Sequence, residues 1–210
     1  MIIIKKVSVI IPVYNQEQLI IRALESIPKT KDIEIIVIDD GSTDNTWESM
    51  IYYMDKNKGN YDLRFYKNNA NYGVAYTVNR GYDLAKGDYV VLLGSDDYFY
   101  RNNFKQAMKE LDGTDFIFFQ TSNNYGMVEL NDNNRCGSFK FMRREFIKDF
   151  RNDEFRLAGE DYHMWNKMLK YNPTIKDIDL IVKHYNYPRK GSLNWQLCHH
   201  EIDLESGLKI

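Results

Sequence analysis

Two acidic clusters in the sequence have the composition of a site that binds a metal ion or a phosphorylated ligand. The first is Asp39-Asp40-Gly41, and the second is Gly94-Ser95-Asp96-Asp97, which directly follows the apolar run YVVLL. Neighbouring carboxylates repel one another unless a cation or a hydrogen-bond donor lies between them. Hard oxygen ligands suit Mg²⁺ and Mn²⁺, so a divalent metal that bridges to phosphate oxygens is one such partner. The alternative is that these side chains cap helices or shape turns.

Other phosphate-binding motifs are missing from the sequence. It contains no G-x-x-x-x-G-K-[ST] loop, and no G-x-G-x-x-G follows the first apolar run, which argues against P-loop and dinucleotide-binding proteins. The first apolar run ends instead in Pro12-Val13-Tyr14-Asn15, a segment that offers an aromatic face and an amide. Aromatic residues make up 14% of the chain, which suits contacts with flat ligands or sugars but also plain packing.

The elements that must position these residues alternate between strands and helices over the first 120 residues. We predict strands at 7–11, 33–38, 63–66, 89–93 and 116–119, and helices at 16–27, 43–56, 74–85 and 102–111. Gly87 is predicted to end the third helix as its C-cap. This alternation predicts an α/β fold with a mostly parallel central sheet flanked by helices. Ligands in such folds bind at the carboxyl ends of the strands, where both acidic clusters fall.

The pattern changes after residue 120. A stretch rich in Asn and Gly at 121–137 indicates a loop or a loose hairpin, followed by helical patterns at 143–150 and 160–170 and a strand at 178–187. No repeat, linker or boundary interrupts the chain. We therefore predict one domain over residues 1–210, with one half at about 1–120 and a second, irregular half at about 121–210.

Composition excludes several classes of protein. The 28 Lys and Arg residues balance 30 Asp and Glu residues, for a formal charge of −2, so a nucleic-acid partner is not expected. No apolar run approaches the ~18 residues of a membrane-spanning helix, and no secretory signal opens the chain. We expect a cytoplasmic protein without an integral membrane segment, for which peripheral contact with a membrane stays open. Cys136 and Cys198 are expected to be reduced thiols.

Three segments carry a specific resemblance. VSVIIPVYNQEQLIIRALESI, IEIIVIDDGSTDNT and NYGVAYTVNRGYDLAKGDYVVLLGSDDYF follow one another almost without a gap between residues 6 and 112, and AGEDYHMWNKML and YNYPRKGSLN continue the match more weakly. Together they resemble family-two glycosyltransferases of the GT-A fold. The resemblance implies transfer of a sugar from a nucleotide donor, most often a UDP-sugar, to a hydroxyl of a saccharide or glycoconjugate, with inversion at the anomeric carbon. A divalent cofactor, Mn²⁺ before Mg²⁺, is implied as well.

The resemblance also implies a donor-binding set. Asp39 would accept a hydrogen bond from the uracil ring, Asp40 would support the turn beside it, and Arg189 would contact the diphosphate. The remaining positions would line the base, the ribose and the adjacent wall, namely Pro12, Val13, Tyr14, Asn15, Asn71, Gly73 and Asp96.

The resemblance also implies metal-binding and catalytic roles for four residues. Asp96 and Asp97 match the aspartate motif that holds the metal on the diphosphate, and His184 is a candidate third ligand. Asp161 falls where the family places its catalytic base. Single displacement requires one carboxylate to take the proton of the acceptor hydroxyl, which contributes ~10²–10⁴-fold in rate. Glu160 stands beside Asp161, and the sequence alone does not decide which of the two faces the acceptor.

Two departures from the family pattern leave alternatives open. Gly94 stands where the aspartate motif usually has its first Asp, which allows weak or absent metal dependence. Val78 stands where the family often has Arg, and Arg80 or Arg64 would have to replace it. A catalytically degenerate sugar-nucleotide binder or partner subunit is the first alternative. A nucleotidyltransferase is less favoured, because the first loop is neither glycine-rich nor basic.

Overall fold

The computed structural model describes residues 6–57, 59, 61–128, 130, 137–154 and 160–186. The predicted diphosphate contact of Arg189, the two cysteines and the end of the predicted strand at 178–187 lie outside the described residues.

Four parallel strands form one side of the sheet. They are β1 (Val7–Val13), β2 (Ile33–Asp39), β3 (Asp62–Lys67) and β4 (Tyr89–Leu92), and they stand in the order β3-β2-β1-β4. All seven residues of β2 are buried, which is typical of a strand covered on both faces. The predicted parallel pairing is thus confirmed for this part of the sheet.

The helices between these strands are shorter than predicted. They are α1 (Ile20–Ser26), α2 (Thr46–Lys56), α3 (Val74–Leu84) and α4 (Arg101–Ala107), and a 3₁₀ turn at Met108–Glu110 follows α4. Helix α1 begins four residues later than predicted, and the N–H groups of Gln16 and Glu17, before it, donate to the side chains of Thr46 and Asp44.

Gly87 was predicted as a C-cap, and this prediction is wrong. Helix α3 ends at Leu84, and its C-cap residue, Ala85, has an extended backbone. The Gly87 N–H donates to Ser8 Oγ at 2.9 Å and to Glu34 Oε1 at 2.8 Å, and a Cβ at position 87 would lie 2.7 Å from Ser8 Oγ. The glycine therefore permits a close approach between the α3–β4 connection and the start of β1.

The rest of the chain adds strands of mixed direction. They are β5 (Tyr98–Phe99), β6 (Phe116–Asn123), β7 (Gly126–Val128), β8 (Lys140–Arg143) and β9 (Ile175–His184), with helices α5 (Arg144–Ile147) and α6 (Glu160–Leu169). Strand β8 lies between β4 and β6 and is antiparallel to both, while β9 is parallel to β6 and antiparallel to β5. The full order is β3-β2-β1-β4-β8-β6-β9-β5, and β7 pairs with β6 as the predicted loose hairpin.

Two apolar layers cover the sheet, as predicted for an α/β fold. One layer contains Leu24 of α1, Met50 of α2 and Phe104 of α4, and the other contains Val78 of α3 and Trp165 of α6. Helices thus bury both faces, and the polar residues of interest are left at the carboxyl edge. Of the helices described, none is long and apolar enough to cross a membrane.

Candidate active site

Asp39 ends β2 and is fully buried. Its Oδ1 accepts a hydrogen bond from the Ser42 N–H at 2.9 Å. Its Oδ2 is also buried, yet it accepts no hydrogen bond from any residue in the described ranges. The Lys67 ammonium lies 3.4 Å from Oδ2, close enough to balance the charge but not aligned as a hydrogen bond. Because a buried acceptor without a donor is costly, this oxygen is suited to a donor supplied by a ligand.

Asp40, the next residue, has a different role. Its Oδ1 accepts from Asn68 Nδ2 at 2.7 Å and from the Tyr72 N–H at 3.0 Å, and its Oδ2 accepts from the Gly73 N–H at 2.8 Å. These three bonds connect the end of β2 to the loop that follows β3. Asp40 therefore ties the loop at 68–73 to the end of β2.

Gly41 allows the same two loops to touch. Its φ is +72°, and a Cβ there would lie 2.6 Å from the Ala70 carbonyl carbon. Asn71 and Gly73 lie on the other side of this contact, where Asn71 Oδ1 accepts from the Gly73 N–H at 3.0 Å. The loop at 70–73 thus forms a wall beside the turn that follows Asp39.

The segment after β1 completes this wall. Asn15, with a φ of +51°, accepts a hydrogen bond from the Thr43 N–H at 2.9 Å and donates its own N–H to Ser42 Oγ at 2.9 Å. Tyr14 is exposed and Pro12 is half-buried, whereas the side chain of Val13 packs in the core. Tyr14 and Asn15 are thus the two exposed residues of this segment.

The aspartate motif turns tightly after β4. The Asp97 N–H donates to the Gly94 carbonyl at 3.0 Å, and the Asp97 carboxylate is buried. Its Oδ2 accepts from Lys183 Nζ at 3.0 Å and its Oδ1 from the Asn186 N–H at 2.9 Å. Asp96 is half-buried, and its carbonyl oxygen accepts a hydrogen bond from the Arg22 guanidinium. Neither Lys183 nor Arg22 belongs to the predicted site.

His184 lies next to this motif and already uses both ring nitrogens. Nδ1 is 3.0 Å from Ser122 Oγ and Nε2 is 3.0 Å from Asn124 Oδ1, while the ring stacks on Tyr98 with centroids 4.7 Å apart. Burial lowers the pKa of His184, and the negative charge of Asp97 opposes this shift. We therefore expect a neutral imidazole at pH 7.

Asp161 lies in the first turn of α6 and lines a cleft with Lys183, Asn152 and Trp165. Its Oδ1 accepts from the Tyr162 N–H at 2.8 Å, and its Oδ2 would lie 3.7 Å from a Cβ at Gly137. The Asp161 carboxylate and the Lys183 ammonium therefore line the same cleft, and Lys183 is the cation that pairs with Asp97. A general base and a charged ligand group could meet there.

Comparison with known proteins identifies the family. The model of the family "Glycosyl transferase family 2" matches residues 8–165. This chain belongs to glycosyl transferase family 2. WfaP of Escherichia coli, a UDP-Glc:alpha-D-GlcNAc-diphosphoundecaprenol beta-1,3-glucosyltransferase, is 36% identical over 201 residues, which cover 85% of this chain and 76% of WfaP. The family predicted from the sequence is confirmed.

Longer relatives match this chain over part of their length. An uncharacterized glycosyltransferase of Rickettsia felis is 42% identical over 120 residues, which cover 56% of this chain and 19% of that protein. A second, from Mycoplasma genitalium, is 43% identical over 109 residues, which cover 50% of this chain and 36% of that protein. The chain therefore corresponds to a minor part of these two relatives.

Solved structures confirm the GT-A fold of this glycosyltransferase. TarS 1-349 of S. aureus, crystallised with UDP-GlcNAc, superposes with a TM-score of 0.77 at 24% identity over 90% of this chain and 60% of TarS 1-349. The mannosyltransferase PcManGT of Pyrobaculum calidifontis, in complex with GDP-Man and Mn²⁺, gives 0.73 at 20% identity over 94% of this chain and 61% of its own.

Proposed function

We propose that this chain transfers a sugar from a UDP-sugar to a hydroxyl of a saccharide or glycoconjugate, with inversion at the anomeric carbon. The cleft that Asp161 shares with Lys183 carries the proposal, because it places a carboxylate in the same cleft as the ammonium that pairs with Asp97. A base on the acceptor side has no use in a protein that only binds nucleotides. The same cleft therefore favours the enzyme over the degenerate binder that the sequence leaves open.

Uracil is the base that the donor edge suits best. Asp39 Oδ2 is a buried acceptor to which no described residue donates a hydrogen bond, and the imide N–H of uracil is a donor of matching character. Asp40 and Gly41 hold the neighbouring loop in place, and Tyr14 offers an aromatic face at the edge. UDP and UDP-GlcNAc are named with the TarS structures, which supports a UDP-sugar as the first donor to test.

The reaction is a single displacement. The acceptor oxygen forms a bond to the anomeric carbon while the bond from that carbon to the β-phosphate oxygen breaks, and the electron pair leaves with UDP. Asp161 takes the proton of the acceptor hydroxyl, since a positioned carboxylate can act as general base. No covalent enzyme intermediate forms, so one carboxylate on the acceptor side is enough.

The divalent metal, Mn²⁺ or Mg²⁺, stays a prediction. The family and the Mn²⁺ complex of PcManGT support a metal in this fold. The described residues do not fit the predicted ligand set, because the Asp97 carboxylate is bonded to Lys183 and Asn186 and both nitrogens of His184 are engaged. Within the part of the chain described, no group of three His, Cys, Asp or Glu could hold a metal ion. No step of the reaction is assigned to a metal here.

The name of the relative WfaP suggests an acceptor and a cellular location for this chain. WfaP is named for an acceptor on a lipid diphosphate, GlcNAc-diphosphoundecaprenol, and for a UDP-glucose donor. UDP-glucose with that acceptor is therefore the first pair to assay, and UDP-GlcNAc is the second donor. Such an acceptor suits a cytoplasmic protein that contacts a membrane surface peripherally.

Asp161→Asn tests the proposal. We expect sugar transfer to fall by ~10²–10⁴-fold because the base is lost, while UDP affinity by calorimetry stays within about twofold, well under 1 kcal/mol. Glu160→Gln is the matched control on the neighbouring residue and is expected to retain transfer. Full transfer by Asp161→Asn, with loss in Glu160→Gln, would assign the base to Glu160 instead.

A further inference from the structure

Lys183 and Asp97 form a buried ion pair inside the aspartate motif. Lys183 Nζ lies 3.0 Å from Asp97 Oδ2, and the two side chains are 11% and 3% exposed. The residues are 86 positions apart in the chain and meet because β5 pairs with β9, with Phe99 opposite Lys183. The ammonium is thus fixed by the sheet itself, and it also lines the cleft that contains Asp161.

The ammonium has capacity for a ligand. It carries three N–H donors; in the described part of the chain one makes a hydrogen bond, to Asp97 Oδ2, and the ammonium also lies 5.2 Å from the centroid of the Tyr185 ring. A phosphate oxygen at the cleft would meet a desolvated cation whose position is already set. Charge-assisted hydrogen bonds of this kind are among the strong ones in proteins.

Gly94 keeps this arrangement intact. A Cβ at position 94 would lie 2.8 Å from Asp97 Oδ2 and 3.2 Å from Asp96 Oδ1. The aspartate that usually begins the motif therefore cannot be added without moving the carboxylate that holds Lys183. Glycine at position 94 is therefore compatible with the ion pair between Lys183 and Asp97, whereas an aspartate there would crowd the Asp97 carboxylate.

Two cations already lie at the aspartate motif. The Arg22 guanidinium donates to the Asp96 carbonyl and lies 5.1 Å from the Tyr98 ring centroid, so the motif has two carboxylates and two fixed positive groups. A divalent ion bound to Asp97 would stand beside the Lys183 ammonium, and the like charges would repel each other.

We propose that the Lys183 ammonium, held on Asp97, supplies the positive charge that binds and stabilises the donor diphosphate, so that UDP binds without a divalent metal. This rests on the proposed function. As the bond between the anomeric carbon and the β-phosphate oxygen breaks, negative charge grows on the diphosphate. Lys183 donates a hydrogen bond to it and stays protonated, while the proton of the acceptor goes to Asp161.

The experiment is calorimetric titration of the full chain with UDP and with uridine, in EDTA and in Mn²⁺. We expect UDP affinity to be the same in both buffers within about threefold, which is under 1 kcal/mol. Lys183→Met should weaken UDP about 10- to 100-fold in EDTA, the range of one charge-assisted hydrogen bond, and leave uridine unchanged. Lys183→Arg should keep most of the affinity. Lys176→Met, on the same strand but paired with Glu110 and Asp112, is the matched control.

Loss of Lys183 alone leaves Asp97 buried without its partner, which could unfold the chain. Lys183→Met with Asp97→Asn removes both charges together and should fold while still losing affinity for UDP. The proposal is overturned if EDTA abolishes UDP binding by the wild-type chain, or if the double variant binds UDP as the wild type does. Binding of neither UDP nor uridine in any buffer would instead overturn the proposed donor, and this proposal with it.

Discussion

Asn79 of α3 and Asn152 bond to each other twice although 73 residues separate them in the chain. Asn79 Nδ2 donates to the Asn152 carbonyl at 3.0 Å, and Asn79 Oδ1 accepts from the Asn152 N–H at 2.8 Å. Nδ2 also donates to Glu154 Oε1 at 2.8 Å. The Asn79 side chain therefore links residues 152–154, which border the cleft that contains Asp161, to helix α3, which begins directly after the loop at 68–73.

Asn79→Ala is expected to destabilise the chain by about 1–3 kcal/mol, because buried donors and acceptors of Asn152 lose their partners. Urea unfolding followed by circular dichroism measures the loss. Asn102→Ala, at an exposed position of α4, is the control and should stay within about 0.5 kcal/mol. Equal stability of the two variants would show that the Asn79 bonds are not important for the fold.

Gly41→Ala is expected to cost more stability than Gly113→Ala. Both positions have a positive φ, +72° and +109°, so backbone strain is expected to lower the unfolding free energy of each variant by roughly 1–2 kcal/mol. A Cβ at 113 meets nothing within 4 Å, whereas one at 41 meets the Ala70 backbone, which adds about 1–3 kcal/mol of overpacking. Thermal unfolding with and without UDP compares them, and the UDP-induced shift should shrink in Gly41→Ala alone.

Asp39→Asn is expected to change the preferred nucleotide. On the proposed function the carboxylate would accept a hydrogen bond from the uracil N3–H, whereas the amide of Asn can donate to the unprotonated N3 of cytosine. We expect UDP affinity to fall about tenfold or more and the ratio of UDP to CDP affinity to move toward CDP. Asp44→Asn, in the same loop but bonded to Thr46, should leave the ratio unchanged. A constant ratio in Asp39→Asn would exclude contact between Asp39 and the base.

The stability of the chain should depend on pH through Asp115. Burial raises the pKa of Asp115, but hydrogen bonds from Thr174 and Arg143 outweigh this and lower the pKa below its ordinary value. Asp115 therefore stabilises the fold fully above about pH 4, its unfolded pKa, and the contribution is lost as the pH falls through the lower folded value.

Asp115→Asn checks this dependence. At pH 7 the variant should lose about 1–3 kcal/mol of unfolding free energy, and the difference from the wild type should narrow in urea titrations below pH 4. Asp83→Asn, which removes an exposed partner of Arg151, should show little difference at any pH. A gap between wild type and Asp115→Asn that is constant from pH 7 to pH 3 would contradict the assignment.

The sequence predicts local features of the site better than its long-range contacts. Strand ends are visible as apolar runs followed by acidic residues, so Asp39, Asp40 and the aspartate motif could be placed at one edge. Their separate roles depend on which N–H groups approach each carboxylate. Asp40 is saturated by the loop at 68–73, and Asp39 keeps one oxygen without a hydrogen bond among the described residues.

Lys183 could not be found from the sequence for a related reason. Strand β5 has two residues, too few for an alternating pattern, so it was not predicted, and β8 was missed as well. Without β5, nothing indicates that β9 passes the aspartate motif. The available signal was the position of Lys183 within a predicted strand, beside His184.

Strand β9 comes last in the chain among the described strands, and this position affects where the chain can be cut into two fragments. A fragment that ends before Ile175 would keep all four parallel strands and Asp39, but its Asp97 would have neither the ammonium nor the Asn186 N–H to neutralise it. A fragment of this kind is therefore not expected to be an autonomous unit, although its motifs are contiguous. A cut at the β6–β7 turn, where Tyr125 is 79% exposed, would leave Asp97 on one fragment and Lys183 on the other, so their ion pair would form only when the two fragments associate. Complementation of the two fragments would then restore the donor site and the acceptor site in one event.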